Sequence, residues 1–397
     1  MNLSFLQVAG ALRFPPVVLI TPWYGLNGVG LVVEGVAQST RRLGGTCVVL
    51  HLVGDGWIPT LSRGSGGELI ISVCARAAAP GAPMLKRIAA RLRRLTVASL
   101  VRYLARRFDI RVAHFHYDMP EYQTLHRICR DAGLQCVATF HGSDLTVNMT
   151  STETREVTAI RLRDCPVITT VSHALQQTLI GIFPDIAPRS RTVYNAIPVD
   201  VMEDCHALTA TSRDVDVLFV GALIPRKGVD VLIRAISCIH DLMPALQVVI
   251  VGDGPDRDLL VALTSQLGLL GVIKFAGPKT RTEIVSLYRR ARVLAVPSRA
   301  EPFGLVVVEG QMLGAVVVAS AVGGIPEIIA DCQTGLLVEP DNPALLGAAI
   351  ASALADEQWR GSIATTARDA ALANFSPARM ALNYRDCYLT SLSSSIR

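Results

Sequence analysis

Apolar runs of strand length alternate with helical patterns along most of this sequence, and this alternation constrains its fold most. In the first half, "PPVVLITPWYGLNGVG" (15–30) reads as a strand that enters a glycine-rich turn, and a helix follows from Leu31. "TCVVLHLVG" (46–54) reads as the next strand. Strand, helix and strand at this spacing form a βαβ unit, whose strands pair in parallel. The sequence therefore predicts an α/β fold.

The same pattern resumes in the second half, after the polar segment 194–214, which reads as a linker. A chain of 397 residues is long enough for two domains at roughly 100–200 residues each. Its mean hydropathy of +0.40 with few aromatic residues is typical of buried parallel strands. We expect two Rossmann-like domains in tandem: residues 1–198, joined by the C-terminal helix 376–397, and residues 199–375.

The composition argues against several classes of protein. A transmembrane helix needs about 20 nearly uncharged residues, and the richest apolar stretch, 304–326, is interrupted by Glu309, Gln311 and several glycines. The N-terminus lacks the basic region that opens a secretory signal. The nine cysteines are scattered without a CxxC pair and predict reduced thiols in a cytosolic chain. We expect no metal site and no nucleic-acid partner.

Basic residues cluster between Lys86 and Arg111, where Asp109 is the only acid. Helical spacing places apolar side chains among these cations: Ile88, Leu92, Leu95, Leu100 and Leu104. The segment 86–111 is thus a candidate membrane-surface helix pair that meets anionic lipid. Two other interpretations stay open, which are a solvated basic face over an ordinary core and a set of arginines that hold an anionic substrate.

Three further strands are predicted in the first half, and each ends in polar or small residues: "RVAHFHY" (111–117), "CVATFHGSD" (136–144) and "PVITTVSH" (166–173). In open α/β sheets the ligand crevice lies outside the carboxyl ends of the strands. His116, His141 and Ser172 therefore lie where a binding site is expected.

In the second half, "GALIPRKG" (221–228) places Arg226 and Lys227 between a strand and a helix. A planar guanidinium and a compact ammonium at this position favour a diphosphate site, although a solvated loop has the same composition. "VGDGPDRDLL" (251–260) resembles the start of a dinucleotide fingerprint but lacks the third glycine. A tight turn after a buried strand explains it equally well.

The stretch "EPFGLVVVE" places Glu301 and Glu309 eight positions apart. A helix is expected to begin near Gly304–Leu305, which keeps both carboxylates near one face. The backbone amides of Gly304, Leu305 and Val306 would then lie at the helix N-terminus, where amides and the helix dipole favour a phosphate. The pattern predicts an anion site between two acceptors for hydroxyl groups.

With these features together, the sequence resembles glycosyltransferase family 4. The Glu301–Glu309 pair is similar to that family's E-x7-E motif, and further segments follow the family's order over nearly the whole chain: "TPWYGLNGVG", "HGSD", "VSHAL", "YNAIPVD", "GALIPRKG", "VGDGP", "GGIPEII" and "TGLLVEP". The resemblance implies a GT-B fold, in which two Rossmann-like β/α/β domains face each other across a deep cleft. The first domain would bind the acceptor and the second the nucleotide-sugar.

The resemblance also implies roles for single residues of the second domain. Arg226 and Lys227 would hold the donor diphosphate and neutralise the leaving group, which makes electrostatic stabilisation the main catalytic contribution. Glu309 would bind the ribose hydroxyls, and Glu301 would bind hydroxyls of the transferred sugar. The amides around Gly304–Leu305 would contact sugar or phosphate.

In the first domain, Gly28 and Gly30 would let the N-terminal loop approach the donor and the acceptor closely. His141 would lie beside the reacting centre, where its side chain or carbonyl could contact the donor sugar. Asp144 has two interpretations, since the cap of a helix explains it as well as a functional role does.

The implied function is a retaining glycosyltransferase that moves a sugar from a UDP- or GDP-sugar to a hydroxyl of a glycan, a glycolipid or a small molecule, in bacterial polysaccharide, lipopolysaccharide or glycolipid biosynthesis. No metal or other cofactor is expected, because Arg226 and Lys227 supply the charge. A cytoplasmic location is expected, with peripheral membrane contact as one alternative. A catalytically silent binding partner of this fold, and an epimerase or phosphorylase type of enzyme, stay open.

Overall fold

The computed structural model describes residues 14–25, 28–54, 56, 58–75, 81–119, 122–197 and 212–394. The chain divides into two compact units, Met1–Pro198 with Pro377–Arg397, and Val199–Ser376. The predicted domain boundary, most of the linker 194–214 and most of the N-terminal segment lie outside the described residues.

The first unit is built on an eight-stranded sheet with the order β3-β4-β2-β1-β5-β6-β7-β8. All its pairs are parallel except β3 with β4. Its strands are β1 Val17–Thr21, β2 Cys47–Leu52, β3 Thr60–Arg63, β4 Leu69–Val73, β5 Val112–His116, β6 Gln135–Phe140, β7 Val167–Thr170 and β8 Ser190–Thr192. Its helices are α1 Gly28–Arg42, α2 Met84–Arg107, α3 Tyr122–Asp131, α4 Ser143–Thr146, α5 Thr152–Arg163 and α6 His173–Ile182. The α/β prediction is confirmed here.

Two details of the first unit differ from the sequence prediction. The basic segment was expected to form a helix pair, but α2 runs unbroken from Met84 to Arg107. No turn-forming residue interrupts it, so the helix continues through the whole basic stretch. The hairpin of β3 and β4 was not predicted at all, because β3 is short, polar and exposed at the sheet edge.

The second unit contains a wholly parallel six-stranded sheet with the order β11-β10-β9-β12-β13-β14. Its strands are β9 Val215–Val220, β10 Val248–Val251, β11 Ile273–Gly277, β12 Ala291–Val296, β13 Val316–Ser320 and β14 Leu336–Val338. Its helices are α7 Val229–Ile239, α8 Arg257–Gln266, α9 Arg281–Arg290, α10 Leu305–Met312, α11 Pro343–Ala355 and α12 Glu357–Asn374. Valine, isoleucine and leucine side chains of the sheet and of α7 form its buried core.

The last helix, α13 (Pro377–Ser393), belongs to the first unit and packs against α1 and β6. It buries Tyr384 and Tyr388 completely beside the sheet. Tyrosine hydroxyls of this C-terminal helix therefore lie in the core of the first unit. They contact strands that lie more than 200 residues earlier in the sequence, as the bond between Tyr388 and His114 shows.

Candidate active site

Three loops of the second unit converge at the carboxyl ends of β9, β12 and β13. The amide of Arg299 donates to the carbonyl of Arg226 at 2.8 Å, and the amide of Gly324 donates to the carbonyl of Glu301 at 3.0 Å. Gly228 has a φ of +66°, and a Cβ there would lie 2.0 Å from the carbonyl oxygen of Pro297. Only glycine permits this approach. The backbone thus brings the Arg226–Lys227 loop and the Glu301 loop together.

Lys227 and Glu301 form an ion pair across these two loops. Their side chains are 18% and 11% exposed, so water screens the pair only partly. Arg226, the neighbour of Lys227, is half-buried. The structure therefore joins three of the residues that the sequence singled out, and it holds the acid and the base against each other.

Gly304 caps helix α10, which begins at Leu305 as predicted. The amides of Val307 and Val308 both donate to the carbonyl of Gly304. The amides of Gly304, Leu305 and Val306 come before the first bond of the helix, and such amides have no partner within the helix itself. This end of α10 is therefore suited to an anion.

Glu309 lies one turn further along α10, where its side chain is 9% exposed. Its Oε2 accepts a hydrogen bond from the buried hydroxyl of Tyr288 at 2.9 Å. Its Oε1 lies 3.1 Å from Nη2 of Arg281. Both partners come from α9 and were not singled out from the sequence, because contacts between residues 281, 288 and 309 leave no local pattern.

Arg299 is a third residue that the sequence did not reveal. Its guanidinium makes two bonds to Asp230, of 2.9 and 2.7 Å, and donates to the carbonyl of Pro225 at 2.6 Å. It also reaches Asp341 at 2.6 Å. Because Pro225 begins the turn that carries Arg226 and Lys227, Arg299 fixes that turn against the Glu301 loop.

The "VGDG" segment has a structural explanation. A Cβ at Gly252 would lie 1.8 Å from the carbonyl of Gly221, and one at Gly254 would lie 2.3 Å from the carbonyl of Leu223. Close packing of two neighbouring loops thus accounts for both glycines. The third glycine of a dinucleotide fingerprint is replaced by Arg257, which begins α8.

In the first unit, His141 belongs to a buried cluster at the ends of β5 and β6. Nε2 of His141 lies 3.2 Å from Nδ1 of His116. His114 bonds the hydroxyls of Tyr388 and Thr139 at 2.8 and 2.6 Å. Burial lowers the pKa of His114 and of His141 to about 3, and it lowers the pKa of His116 well below the usual range. The three rings are therefore neutral at physiological pH.

Asp144 does not cap its helix, since Gly142 holds that position. Its carboxylate accepts instead from the backbone amides of His141, Gly142 and Asp118, at distances from 2.6 to 3.2 Å. Burial raises the pKa of Asp144 to about 7, although these amide donors act in the opposite direction. The residue ties the turn that carries His141 to the end of β5. Ser172 is the cap of α6 and accepts from the amide of Leu175.

Gly28 and Gly30 lie in the first turn of α1 and not in the preceding loop, because the helix begins three residues earlier than predicted. Gly28 is exposed, whereas Gly30 is buried. A Cβ at Gly30 would lie 3.0 Å from the backbone nitrogen of Gly25, so Gly30 lets the chain before the helix pack closely on it. The hydroxyl of Tyr24, in that stretch, bonds the buried carboxylate of Glu68.

Two further groups of observations concern metals and membranes. Within the described part of the chain, no group of three or more His, Cys, Asp or Glu side chains is placed to hold a metal ion. Among the same residues, no helix has the length and apolarity that crossing a bilayer requires.

Comparison with known proteins gives two family matches. Residues 26–201 match the family described as Glycosyltransferase Family 4, and residues 205–370 match the family described as Glycosyl transferases group 1. A D-inositol 3-phosphate glycosyltransferase of Corynebacterium glutamicum is 41% identical over 150 residues, which are 36% of this chain and 36% of that protein. The chain thus matches about a third of the length of such curated relatives.

Two solved structures resemble nearly the whole chain. Sucrose-phosphate synthase of Thermosynechococcus elongatus has a TM-score of 0.73 at 22% identity, over 96% of this chain and 100% of its own. Anabaena HepE in complex with UDP and glucose has a TM-score of 0.72 at 20% identity, over 96% and 100%. At these identities the likeness shows the fold, which is α/β with two Rossmann-like units.

Proposed function

Because the chain belongs to glycosyltransferase family 4 and has its GT-B fold, we propose that it transfers a sugar from a nucleotide-sugar to a hydroxyl acceptor with retention of anomeric configuration. The donor is a UDP- or GDP-sugar, and the acceptor is a glycan, a glycolipid or a small molecule of bacterial polysaccharide, lipopolysaccharide or glycolipid biosynthesis. UDP is the first candidate for the nucleotide, since HepE is described in complex with UDP.

One observation carries the proposal. The N-terminus of α10 and the Lys227–Glu301 pair lie on loops of the second unit that contact each other directly. A diphosphate at this place would meet backbone amides and two basic side chains, Arg226 and Lys227. Glu301 and Glu309 would accept hydrogen bonds from sugar and ribose hydroxyls on either side.

The chemistry follows from these charges. Breaking the anomeric bond leaves positive character on the sugar and adds negative charge to the diphosphate. Arg226 and Lys227 stabilise that charge. Because Arg299 and Glu301 already hold them in place before the reaction, little reorganisation is needed when the charge develops. The leaving phosphate takes the acceptor proton on the same face of the sugar, which gives retention. We propose that the reaction needs no metal, because these cations supply the charge.

For the first unit we propose that His141 contacts the reacting sugar. Its ring is neutral, since burial lowers its pKa to about 3, and a neutral ring can donate or accept a hydrogen bond but adds no positive charge. Asp144 holds its backbone. His141 therefore orients a sugar hydroxyl or stabilises partial positive charge on the sugar through its dipole.

A donor panel tests the proposal. Purified protein is incubated with UDP- and GDP-sugars, and release of nucleoside diphosphate and the anomeric configuration of the product are measured, with and without EDTA. We expect turnover of one donor, retention, no effect of EDTA, and loss of turnover in Glu309→Ala. Lys279→Ala, which removes an exposed lysine paired with Glu283, is the control that should keep activity.

The outcomes separate the alternatives. Donor binding without turnover would favour a silent binding partner. A converted sugar that stays on the nucleotide would indicate an epimerase, and inorganic phosphate acting as the acceptor would indicate a phosphorylase. Binding of no nucleotide-sugar would contradict the proposal.

We also propose that α2 attaches the protein to an anionic lipid surface, at the inner face of the cell membrane. The helix carries eight basic residues and no acid. Its buried residues, Val97, Ala98, Val101 and Leu104, all lie in its second half. Its first half presents large apolar side chains to solvent: Met84, Leu85, Ile88, Leu92 and Leu95.

The exposed stripe is continuous along the helix. Residues 85, 88, 92, 95, 99, 102 and 106 follow the spacing of three and four that marks one helical face. This stripe is apolar up to Leu95, and beyond it a surface depression is lined by Ser99, Arg102, Tyr103, Arg106 and Arg107. An apolar section for acyl chains and an arginine section for phosphate headgroups suit an anionic bilayer.

Liposome co-sedimentation tests this attachment. We expect binding to vesicles that contain anionic lipid, weaker binding to neutral vesicles, and reduced binding of Leu85→Ser and of Arg102→Glu with Arg106→Glu. Leu242→Ser is the matched control, because Leu242 and Leu85 are each 81% exposed. Equal binding to neutral and anionic vesicles would contradict the electrostatic part of the proposal.

A further inference from the structure

Helix α9 holds the Glu309 carboxylate from two sides. Tyr288 and Arg281 are seven residues apart, which places them on one face of the helix, two turns from each other. The hydroxyl of Tyr288 bonds Oε2, and the guanidinium of Arg281 lies beside Oε1. Each oxygen of Glu309 thus has its own partner from the same helix.

The two partners differ in depth. Tyr288 is completely buried, with 1% of its surface exposed, whereas the Arg281 side chain is 28% exposed. Arg281 follows the loop after β11, at the carboxyl edge of the sheet where ligands bind in this class of fold. The carboxylate is therefore fixed from the core by a hydroxyl and from the ligand edge by a cation.

An ionised carboxylate has about four acceptor positions, so these two contacts leave positions for further donors. A side chain held at both oxygens has little rotational freedom left to lose when a ligand binds. The pair of vicinal hydroxyls on a ribose is a donor set that matches one fixed carboxylate.

We propose that Arg281 and Tyr288 are positioning residues that set the Glu309 carboxylate for the 2′- and 3′-hydroxyls of the donor nucleotide, an inference that rests on the proposed function of Glu309. They act through Glu309 and make no contact with the reacting atoms. Their loss should therefore weaken recognition of the ribose and leave recognition of the base and the diphosphate unchanged.

Calorimetric titration with UDP and with 2′,3′-dideoxy-UDP tests the inference, because only the first carries the hydroxyls. We expect Arg281→Ala to weaken UDP binding roughly tenfold, and Tyr288→Phe to weaken it by a few fold, which corresponds to one lost hydrogen bond. Neither variant should change the affinity for the dideoxy compound. Arg281→Lys should restore part of the loss.

Arg290→Ala is the matched control. It removes an arginine–carboxylate pair, with Asp214, from the other end of the same helix, and it should leave both affinities unchanged. Equal weakening of both nucleotides in Arg281→Ala, or of neither, would overturn the inference.

Glu309→Gln separates this inference from the function beneath it. If Glu309→Gln removes the preference for UDP over the dideoxy compound while Arg281→Ala keeps it, the positioning role is wrong and the role of Glu309 stands. If Glu309→Gln leaves the preference intact, the ribose role of Glu309 is wrong, and the inference is overturned with it.

Discussion

The two units hold their candidate functional groups by opposite means. In the second unit the groups are charged and held by ion pairs: Lys227 with Glu301, Arg281 with Glu309 and Arg299 with Asp230. In the first unit His141 lies in a cluster of buried neutral rings, where hydroxyl groups contact the rings and the Asp144 carboxylate accepts from the amide of His141. A charged arrangement is suited to binding a diphosphate, whereas a neutral one is suited to orienting hydroxyl groups of a sugar.

The interactions that stabilise the two regions differ in what disturbs them. Ion pairs near the surface are screened by salt and adapt when an anion enters. A buried neutral network depends on complete hydrogen bonding and on the absence of protons from its histidines. Removal of a charged side chain should therefore affect the second unit most, whereas acid should affect the first unit most.

The largest effect is expected from Lys227→Ala. Removal of this cation takes away stabilisation of the leaving diphosphate and leaves Glu301 without its partner, so kcat/KM should fall ~10²- to 10³-fold. Steady-state kinetics with the accepted donor measure it, and Lys279→Ala should stay near wild type. A fall of less than threefold would remove Lys227 from the catalytic machinery.

The second-largest effect is expected from acid, which lowers the stability of the first unit. Between pH 7 and pH 5 the unfolded chain gains a proton at each of His114, His116 and His141, while the folded chain does not, because burial lowers their pKa values. At these three sites the unfolded state then binds more protons, so each histidine lowers stability by about 2 kcal/mol at pH 5. Asp144 acts in the opposite direction over the same range, because its pKa of about 7 lets the folded chain take up a proton there. Urea unfolding at both pH values measures the difference.

Single variants sharpen this test. His116→Gln should shrink the difference between pH 7 and pH 5 by one histidine's share, about 2 kcal/mol. His173→Gln should leave it unchanged, since the ring of His173 is exposed to water. A difference between pH 5 and pH 7 that His116→Gln leaves unchanged would contradict the neutral cluster.

A smaller effect is expected from Arg299→Ala in the second unit. The guanidinium and the Asp230 carboxylate are 31% and 39% exposed, so screening limits the loss to roughly 1 kcal/mol of stability. The KM for the donor should rise because the turn of Arg226 and Lys227 is no longer fixed. Arg299→Lys should recover only part of the lost stability and donor affinity, since lysine lacks the planar guanidinium fork. An unchanged KM in Arg299→Ala would contradict the positioning of that turn.

The comparison also explains how far the sequence could be interpreted. The α/β fold was predictable, because buried parallel strands are continuous apolar runs and the loops after them carry Arg226, Lys227 and Glu301 in local order. The partners of those residues were not predictable. Arg281 is 28 positions from Glu309, and Tyr388 is 274 positions from His114, so their contacts depend on tertiary packing alone.

Local errors have equally physical causes. The segment 86–111, proposed as a helix pair, forms one helix, since no glycine or proline interrupts it between Met84 and Arg107. The hairpin of β3 and β4 was not predictable, because the four exposed residues of β3, "TLSR", carry no alternating pattern. The roles of His141, Arg226, Lys227, Glu301 and Glu309 in the reaction stay predictions.

Nucleotide binding by the charged region is the central claim, and a titration of UDP and GDP into three proteins tests it most directly. Wild type should bind one of the two, with an affinity that falls as salt rises. Lys227→Ala should lose most of that affinity, and His141→Gln should keep it. Binding that survives in Lys227→Ala and disappears in His141→Gln, or no binding of either nucleotide to wild type, would contradict the account.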